Sequence, residues 1–473
     1  MDVNDECRKL IARYLKEQGF LKTLEAFEVE APKSTSSRGA FDSISLADVV
    51  DLVLQQQDLS RRLDKTTLSD PVEEAKPFDW HVNITSPLPQ NVTRTLRDVH
   101  LSSILSVTFT HLPQRVFNTS SASYISKNVP CIATSSTDKR IVFTSTEDWQ
   151  VVDSHEPTTS ATLVTKFNPV YPYLMLSGAM NGVTTVTNLL TREATSFKNH
   201  TKYVVRVAWS DDGLWFATLS YDKTVCLYEV VTEQNTSETQ DSIDTDEFAR
   251  IPSFKYHLRW QKSVPTNPEA CIFTPDSKYL IFSRRDDNHL YYVTLPQHSS
   301  VPDRVYNDAE MAVTLLNLNG NEDSHISFSI LSIEIHPSKQ ALTLQTDTDI
   351  SRIIIVPFHS NKRLRHMLYT GAEQSAYSNP RHAWLEDGSG VAVSSDDGII
   401  RIVDLNGKVK VSMGAHGIAA PQEQEPVPIV GEALRARYQA DRGSSVVRDI
   451  YVIPGNRIVS VGLDKTVRVA EVQ

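Results

Sequence analysis

Seven small polar side chains recur along the later part of this chain in one local setting, a tight turn between two β-type runs. They are Asp138, Asn181, Asp222, Asp287, Asp349, Asp397 and Asp464. Paired carboxylates can do acid–base work and clustered ones can hold a metal. These seven stand roughly 40–70 residues apart, which is a repeat period rather than a ligand spacing. A small carboxylate or amide in a turn accepts backbone N–H groups and holds the turn, and that is the role expected here. Of the 14 histidines, none pairs with another at metal-ligand spacing, and His325 and His336, which bracket one strand, read as turn residues. The four cysteines, Cys7, Cys131, Cys226 and Cys271, lie far apart and never as C-x-x-C, which speaks against a zinc centre and against a disulfide framework. Asp347 and Asp349 lack the glycine and distal glutamate of a calcium loop. No G-x-x-x-x-G-K-[ST], G-x-S-x-G, H-E-x-x-H or G-x-G-x-x-G occurs. The expectation is no catalytic residue, no metal, no cofactor and no enzyme.

The elements that must position these turns are short strands. From about residue 91, runs of Val, Ile, Thr, Phe and Tyr alternate with Asp, Gly, Asn and Ser. Seven segments align with one another. The clearest is "HTKYVVRVAWSDDGLWFATLSYDKTVCLYEV" from His200 to Val230, followed by "GSSVVRDIYVIPGNRIVSVGLDKTVRVAEV" near the C-terminus and "NPRHAWLEDGSGVAVSSDDGIIRIVDL" from Asn379. Each copy has a strand, a Pro/Asp/Gly turn, a second strand, the polar tight turn and a third strand. In the first copy an insertion splits "ILSVTFT" from "CIATSSTDKRIVFTS".

This pattern resembles the WD-repeat family over roughly residues 91–473, with departures. No Trp-Asp dipeptide closes a repeat, and Tyr228-Glu229, Val403-Asp404 and Ala470-Glu471 stand in its place. The family's Gly-His pair is reduced to Asn199-His200, Ala415-His416 and Val99-His100. The third repeat alone is expected to keep most of the Asp–His–Ser network, through Asp222, His200 and Ser220. The resemblance implies an all-β, seven-bladed WD40-type β-propeller, with six or eight blades as alternatives. Because the last copy ends on its third strand, a strand at 91–98 is expected to complete it and remove the exposed edges.

The N-terminus is different in kind. Cys7, Leu10, Ile11, Tyr14 and Leu15 fall on one helical stripe, Asn4 or Asp5 caps it, and Gly19 follows its last turn. A second helix carries Leu21, Leu24 and Phe27, and Pro32 ends it. So small a hairpin cannot bury its own stripe, so Leu10, Ile11, Tyr14, Leu15, Phe20, Leu24 and Phe27 need a second surface. The stretch from Leu10 to Glu30 resembles the LisH motif, with Leu24 where the family often has Ala. The resemblance implies homodimerisation through these residues. The organisation expected is thus a LisH hairpin at 1–35, a linker at 36–90 with one amphipathic helix at about 44–63, and the propeller at 91–473.

Composition bounds the partners. Net charge is −11 and 22% of residues are charged, a balance that argues against nucleic acid or an anionic membrane. "NKRLRH" at 361–366 is the most basic stretch and reads as a solvated loop. The start has no apolar leader core, and no run approaches the ~18 apolar residues of a bilayer span, so an intracellular protein of cytoplasm or nucleus is expected. Three insertions stand out. An acidic one spans 232–248, one spans 301–311, and a Pro-rich one at 420–443 is the favoured partner contact. Chains of LisH-plus-WD architecture include dynein regulators, transducin-β-like corepressor subunits, splicing factors and ubiquitin-ligase subunits. No long coiled coil and no clear CTLH segment accompanies the hairpin, which leaves a corepressor-like assembly role slightly favoured. The function expected is a non-catalytic, homodimeric scaffold for protein partners. The alternative is a substrate receptor or peptide reader of the ubiquitin-ligase or histone-tail type, for which a propeller pocket lined by acidic and aromatic side chains would speak.

Overall fold

The structure, a computed structural model, describes residues 82–119, 123–233, 252–296, 304–319, 325–348, 350–358, 366–375, 379–417 and 446–472. The N-terminal segment expected to form a hairpin and dimerise through Leu10, Ile11, Tyr14, Leu15, Phe20, Leu24 and Phe27 lies outside these residues. So do the 44–63 segment, Asp349, the 420–443 insertion and most of the 232–248 one, whereas residues 304–311 of the remaining insertion are described.

Among the described residues the chain forms seven four-stranded antiparallel sheets. Blades 1 to 7 begin with the strands Ile104–Asn118, Thr162–Phe167, Val204–Trp209, Pro268–Phe273, Ile330–Ile335, His382–Trp384 and Val447–Ile453. In six blades four consecutive strands pair in chain order. In blade 7 the outer place is taken by Arg94–Leu96, which runs antiparallel to Val467–Ala470 with Arg94 opposite Val469 and Leu96 opposite Val467. Thr93 N–H donates to Val469 O at 2.8 Å and Arg468 Nη1 donates to Thr95 Oγ1 at 2.6 Å. The two ends of the propeller therefore share one sheet, and neither leaves an open ladder.

Burial follows position in the blade. Second strands such as Leu174–Ala179 and Trp215–Ser220 are buried at every residue, because neighbouring blades cover both their faces. Outer strands such as His366–Glu373 and Val409–Gly414 alternate buried and exposed, as an edge facing water must. The core is consequently a ring of inter-blade clusters. Between blades 3 and 4, Trp215, Leu227 and Trp260 meet Phe273, Phe282 and Val293. Between blades 7 and 1, Val459, Val461 and Val469 meet Ile104, Val107 and Ile132. Each such aromatic or branched side chain contributes about 1.5–3 kcal/mol when fully buried.

Two features differ from what the sequence suggests. The insertion of the first copy is no separate loop. Ile104–Asn118 and Ser123–Ser136 stay paired from Ile104–Ser136 out to Asn118–Ser123, one hairpin extended beyond its blade. Nor does the end of the irregular connector hang free of the propeller. Val82 packs into the cluster of blades 5 and 6, and Ile84, Leu88 and Val92 pack into that of blades 6 and 7. Ser86 ties it further, donating to Asp387 Oδ2 and accepting from Asn456 Nδ2, both at 3.2 Å.

Candidate functional site

The polar turns come first, because they carry the sequence pattern. In all six described turns the side chain accepts the backbone N–H of the second residue on. Asp138 takes Arg140, Asn181 takes Val183, Asp222 takes Thr224, Asp287 takes His289, Asp397 takes Ile399 and Asp464 takes Thr466, at 2.9 to 3.2 Å. The intervening residue is left-handed at Lys139, Gly182, Lys223, Gly398 and Lys465. The side-chain bond holds a backbone conformation that lysine adopts only reluctantly.

Three turns reach further, to a histidine on the strand connection beside them. His100 Nδ1 bonds Asp138 at 3.0 Å and its Nε2 meets Thr134 Oγ1 at 2.9 Å. His200 Nδ1 lies 3.3 Å from Asp222 and its Nε2 meets Thr218 Oγ1 at 2.7 Å. His416 Nδ1 bonds Asp464 at 3.0 Å and its Nε2 meets Ser460 Oγ at 2.9 Å. This corrects the expectation on two points. The network is complete in blades 1 and 7 as well as in blade 3. In blade 3 its hydroxyl is that of Thr218, whereas Ser220 donates to Lys202 O and accepts the Asp222 N–H. Thr218 and Ser220 share a strand face, since side chains alternate with period two, and only Thr218 sits at the depth of the ring.

Electrostatically these networks are closed. Burial holds the His100 and His200 imidazoles below their ordinary value, with the adjacent aspartates pulling the other way. Burial opposes ionisation of Asp138, Asp222 and Asp464, but the hydrogen bonds they accept outweigh it and keep them below the usual carboxylate range. A neutral ring donating to a carboxylate and accepting a hydroxyl has no nitrogen left for substrate. The remaining turns are satisfied within their own blade. Asp287 takes Arg284, His289 at 2.7 Å and Tyr291 at 2.6 Å, and Asp397 takes both Nη atoms of Arg401. Cys131 and Cys226 are buried free thiols, Cys271 is a half-buried one, and burial pushes all three up to about 12. Among the described residues no group of three or more His, Cys, Asp or Glu is placed to hold a metal.

The concave feature of the molecule is elsewhere. The first strands of all seven blades surround a central channel of about 680 Å³. Charged side chains stand on its wall at or beside five of those strands: Lys166, Arg206 with Asp211, Glu334, Arg381, and the neighbours Arg448 and Asp449. Four cations thus face three carboxylates, Glu334, Asp449 and Asp211, the last held by Lys339 Nζ at 2.6 Å, inside a protein of net charge −11. Arg206 donates to Val205 O at 2.7 Å and Leu331 O at 3.4 Å. With the Asn379 amide turned so that its oxygen faces the guanidinium, Arg448 donates to it from both Nη atoms at 3.0 and 2.8 Å. Arg381 Nε approaches Asp449 at 3.7 Å, and that carboxylate also accepts Val107 N–H and Ile450 N–H. Burial and then the nearby Arg206 press Arg381 down to about 9, so it is still charged at neutral pH, and both depress Arg448 too. Further along the strands, burial disfavours the charged Lys166, but Glu334, Tyr451 and Asp449 together outweigh it, while burial raises Glu334 itself.

Sequence reasoning missed this channel. A single charge inside an apolar strand, as in "VTKF", "VRVAW" or "SIEIH", reads as the solvent face of an ordinary strand. The available signal was its recurrence in the first strand of five copies, where both sides should have been packed.

Comparison with known families agrees with this architecture. Residues 6–37 match the LisH domain model, and residues 191–229 match the WD domain, G-beta repeat. No curated protein matches the chain. The repeat matched as a WD domain ends in blade 3, where the network of His200, Asp222 and Thr218 lies.

Proposed function

We propose that this chain, which joins a LisH domain to a seven-bladed WD-repeat propeller, works as a non-catalytic homodimeric scaffold inside the cell. WD propellers serve generally as interaction modules, and a rigid ring of loops suits protein partners. The observation that carries the proposal is the pairing itself. A motif whose apolar stripe needs a second surface precedes a propeller whose own seams are filled and whose ends are already sealed to each other. Two propellers on one dimer gain avidity of ~10²–10⁴-fold over one weak contact where both can engage. The dimer contact is assigned to Leu10, Ile11, Tyr14, Leu15, Phe20, Leu24 and Phe27, and multiprotein assemblies of the transcriptional corepressor type are the first class of client to examine.

The competing reading is a substrate receptor or peptide reader for a modified or basic tail, and an acidic and aromatic pocket would favour its basic form. The channel wall has aromatic side chains, Trp209, Tyr221 and Trp384 among them, but carries Lys166, Arg206, Arg381 and Arg448 against Asp211, Glu334 and Asp449, a balance that does not favour a basic tail. Co-expression of two differently tagged copies tests the scaffold. Capture of one tag should recover the other, and Leu15→Asp should abolish recovery while the propeller's melting temperature stays unchanged. Equal recovery by Leu15→Asp removes the hairpin from the account.

A further inference from the structure

We propose that the central channel is a receptor for a phosphate-bearing ligand, gripped by Arg206, Arg381 and Arg448. These three lie at or near the start of the first strands of blades 3, 6 and 7, so they converge on one end of the channel from three separate blades. The inference stands apart from dimerisation and would survive its failure.

Three observations carry it. First, the charge is inverted. A chain with 58 acidic and 47 basic residues gathers four cations and three carboxylates in the channel among its seven first strands, and one of those carboxylates, Asp211, is already held by Lys339 at 2.6 Å. Second, the anions present do not balance the arginines. Asp449 is engaged by Val107 N–H at 2.9 Å and Ile450 N–H at 3.0 Å, with Arg381 at 3.7 Å. Glu269, near the same end, is taken by Arg285 Nε at 2.7 Å and by Tyr221. The hydrogen bonds of Arg206 and Arg448 go to neutral oxygens, those of Val205 and Leu331 and, with its amide turned to face the guanidinium, Asn379, while Asp449 and Asp396 attract Arg448 without hydrogen-bonding to it. Such bonds aim a guanidinium without neutralising it. Third, the guanidinium suits the ligand. Its planar fork matches phosphate oxygens bidentately, and such charge-assisted bonds are about twice as strong as neutral ones. A phosphate monoester carries about −1.5 to −2 at pH 7, which suits a wall on which cations outnumber carboxylates. The cavity, about 680 Å³, falls in the size range of small-ligand sites.

Like charges held together without a counter-ion weaken a fold, and that separates a ligand site from a structural one. Phosphate can arrive free, on a small molecule, or on a phosphorylated side chain inserted from a partner, and the chemistry at the arginines is the same. Full-length protein would be titrated calorimetrically with inorganic pyrophosphate, and in parallel with a phosphoserine peptide and its unphosphorylated form, all against chloride of equal ionic strength. Binding by pyrophosphate alone marks a free ligand, and preference for the phosphoserine peptide over its plain form marks a partner's side chain. Both outcomes support the site. Arg206→Gln and Arg448→Gln should each weaken binding by about ten- to a hundredfold. Ligand-free Arg206→Gln should melt no lower than wild type. The proposal is overturned if neither probe binds above the chloride control, or if both variants bind as tightly as the wild type. A ligand-free Arg206→Gln protein that melts well below wild type would also overturn it, because the guanidinium would then be structural.

Discussion

Blades 1, 3 and 7 solve the turn problem in one way, and blades 2, 4 and 6 in another. In the first group an imidazole from the adjoining strand connection links the turn carboxylate to a hydroxyl in the second strand. In the second group that imidazole is replaced or omitted. Asp287 collects Arg284, His289 and Tyr291, Asp397 collects Arg401, and Asn181 holds Val183 N–H from an exposed position. The backbone bond to the second residue on is common to both groups. The difference teaches that the turn bond defines the blade, whereas the histidine network is an added inter-element tie that a blade can lose once its own side chains satisfy the carboxylate.

That comparison can be broken or sharpened by substitution. The largest effect is expected at Asp464→Ala, which strips a carboxylate from His416, Thr466 N–H and Thr466 Oγ1 in the blade that closes the ring. Leaving buried donors unpaired costs about 1–3 kcal/mol each, so a loss of about 2–4 kcal/mol is predicted, read from chemical denaturation. A loss no larger than that at Asn181 would remove the distinction between the groups.

A buried imidazole outside the networks supplies the next test. His382 bonds Thr343 Oγ1 at 2.8 Å and Gln345 Oε1 at 3.2 Å, and burial followed by the Arg381 charge pushes it down to about 3. Its unfolded value is near 6.5, so between pH 6.5 and 3 the unfolded chain binds the extra proton. Stability through this group is present above that window and falls as pH drops through it, by about 1.4 kcal/mol per pH unit. Wild type and His382→Gln should therefore diverge in pH slope by that amount from pH 6 to 4.5. Parallel slopes would mean the ring is protonated in the fold. The smallest effect belongs to Asn181→Ala, where one exposed turn bond is lost and about 0.5–1 kcal/mol is expected from the same denaturation curves.

Much of this was legible beforehand because it repeats. Period-two apolar runs and one polar turn residue per copy suffice to mark seven blades. The closing strand followed from counting three strands in the last copy, and Arg94–Leu96 supplies the fourth. What stayed hidden depends on depth and not on pattern. Thr218 and Ser220 are equivalent by alternation, and only the position of the His200 ring separates them. Lys166, Arg206 and Glu334 look like solvent-facing residues until seven first strands are arranged around an axis. The extended hairpin of blade 1 hid for the opposite reason, since its pairing is local but "HLPQRVFN" contains Pro113 and reads as a break.

The proposal with the widest consequence is that the N-terminal hairpin pairs two copies of the propeller. Sedimentation equilibrium on the intact chain, beside Leu15→Asp and a chain lacking residues 1–35, addresses it directly. The account predicts twice 53.0 kDa for the intact protein and folded monomers for both variants. An intact chain that sediments as a monomer at micromolar concentration would contradict it.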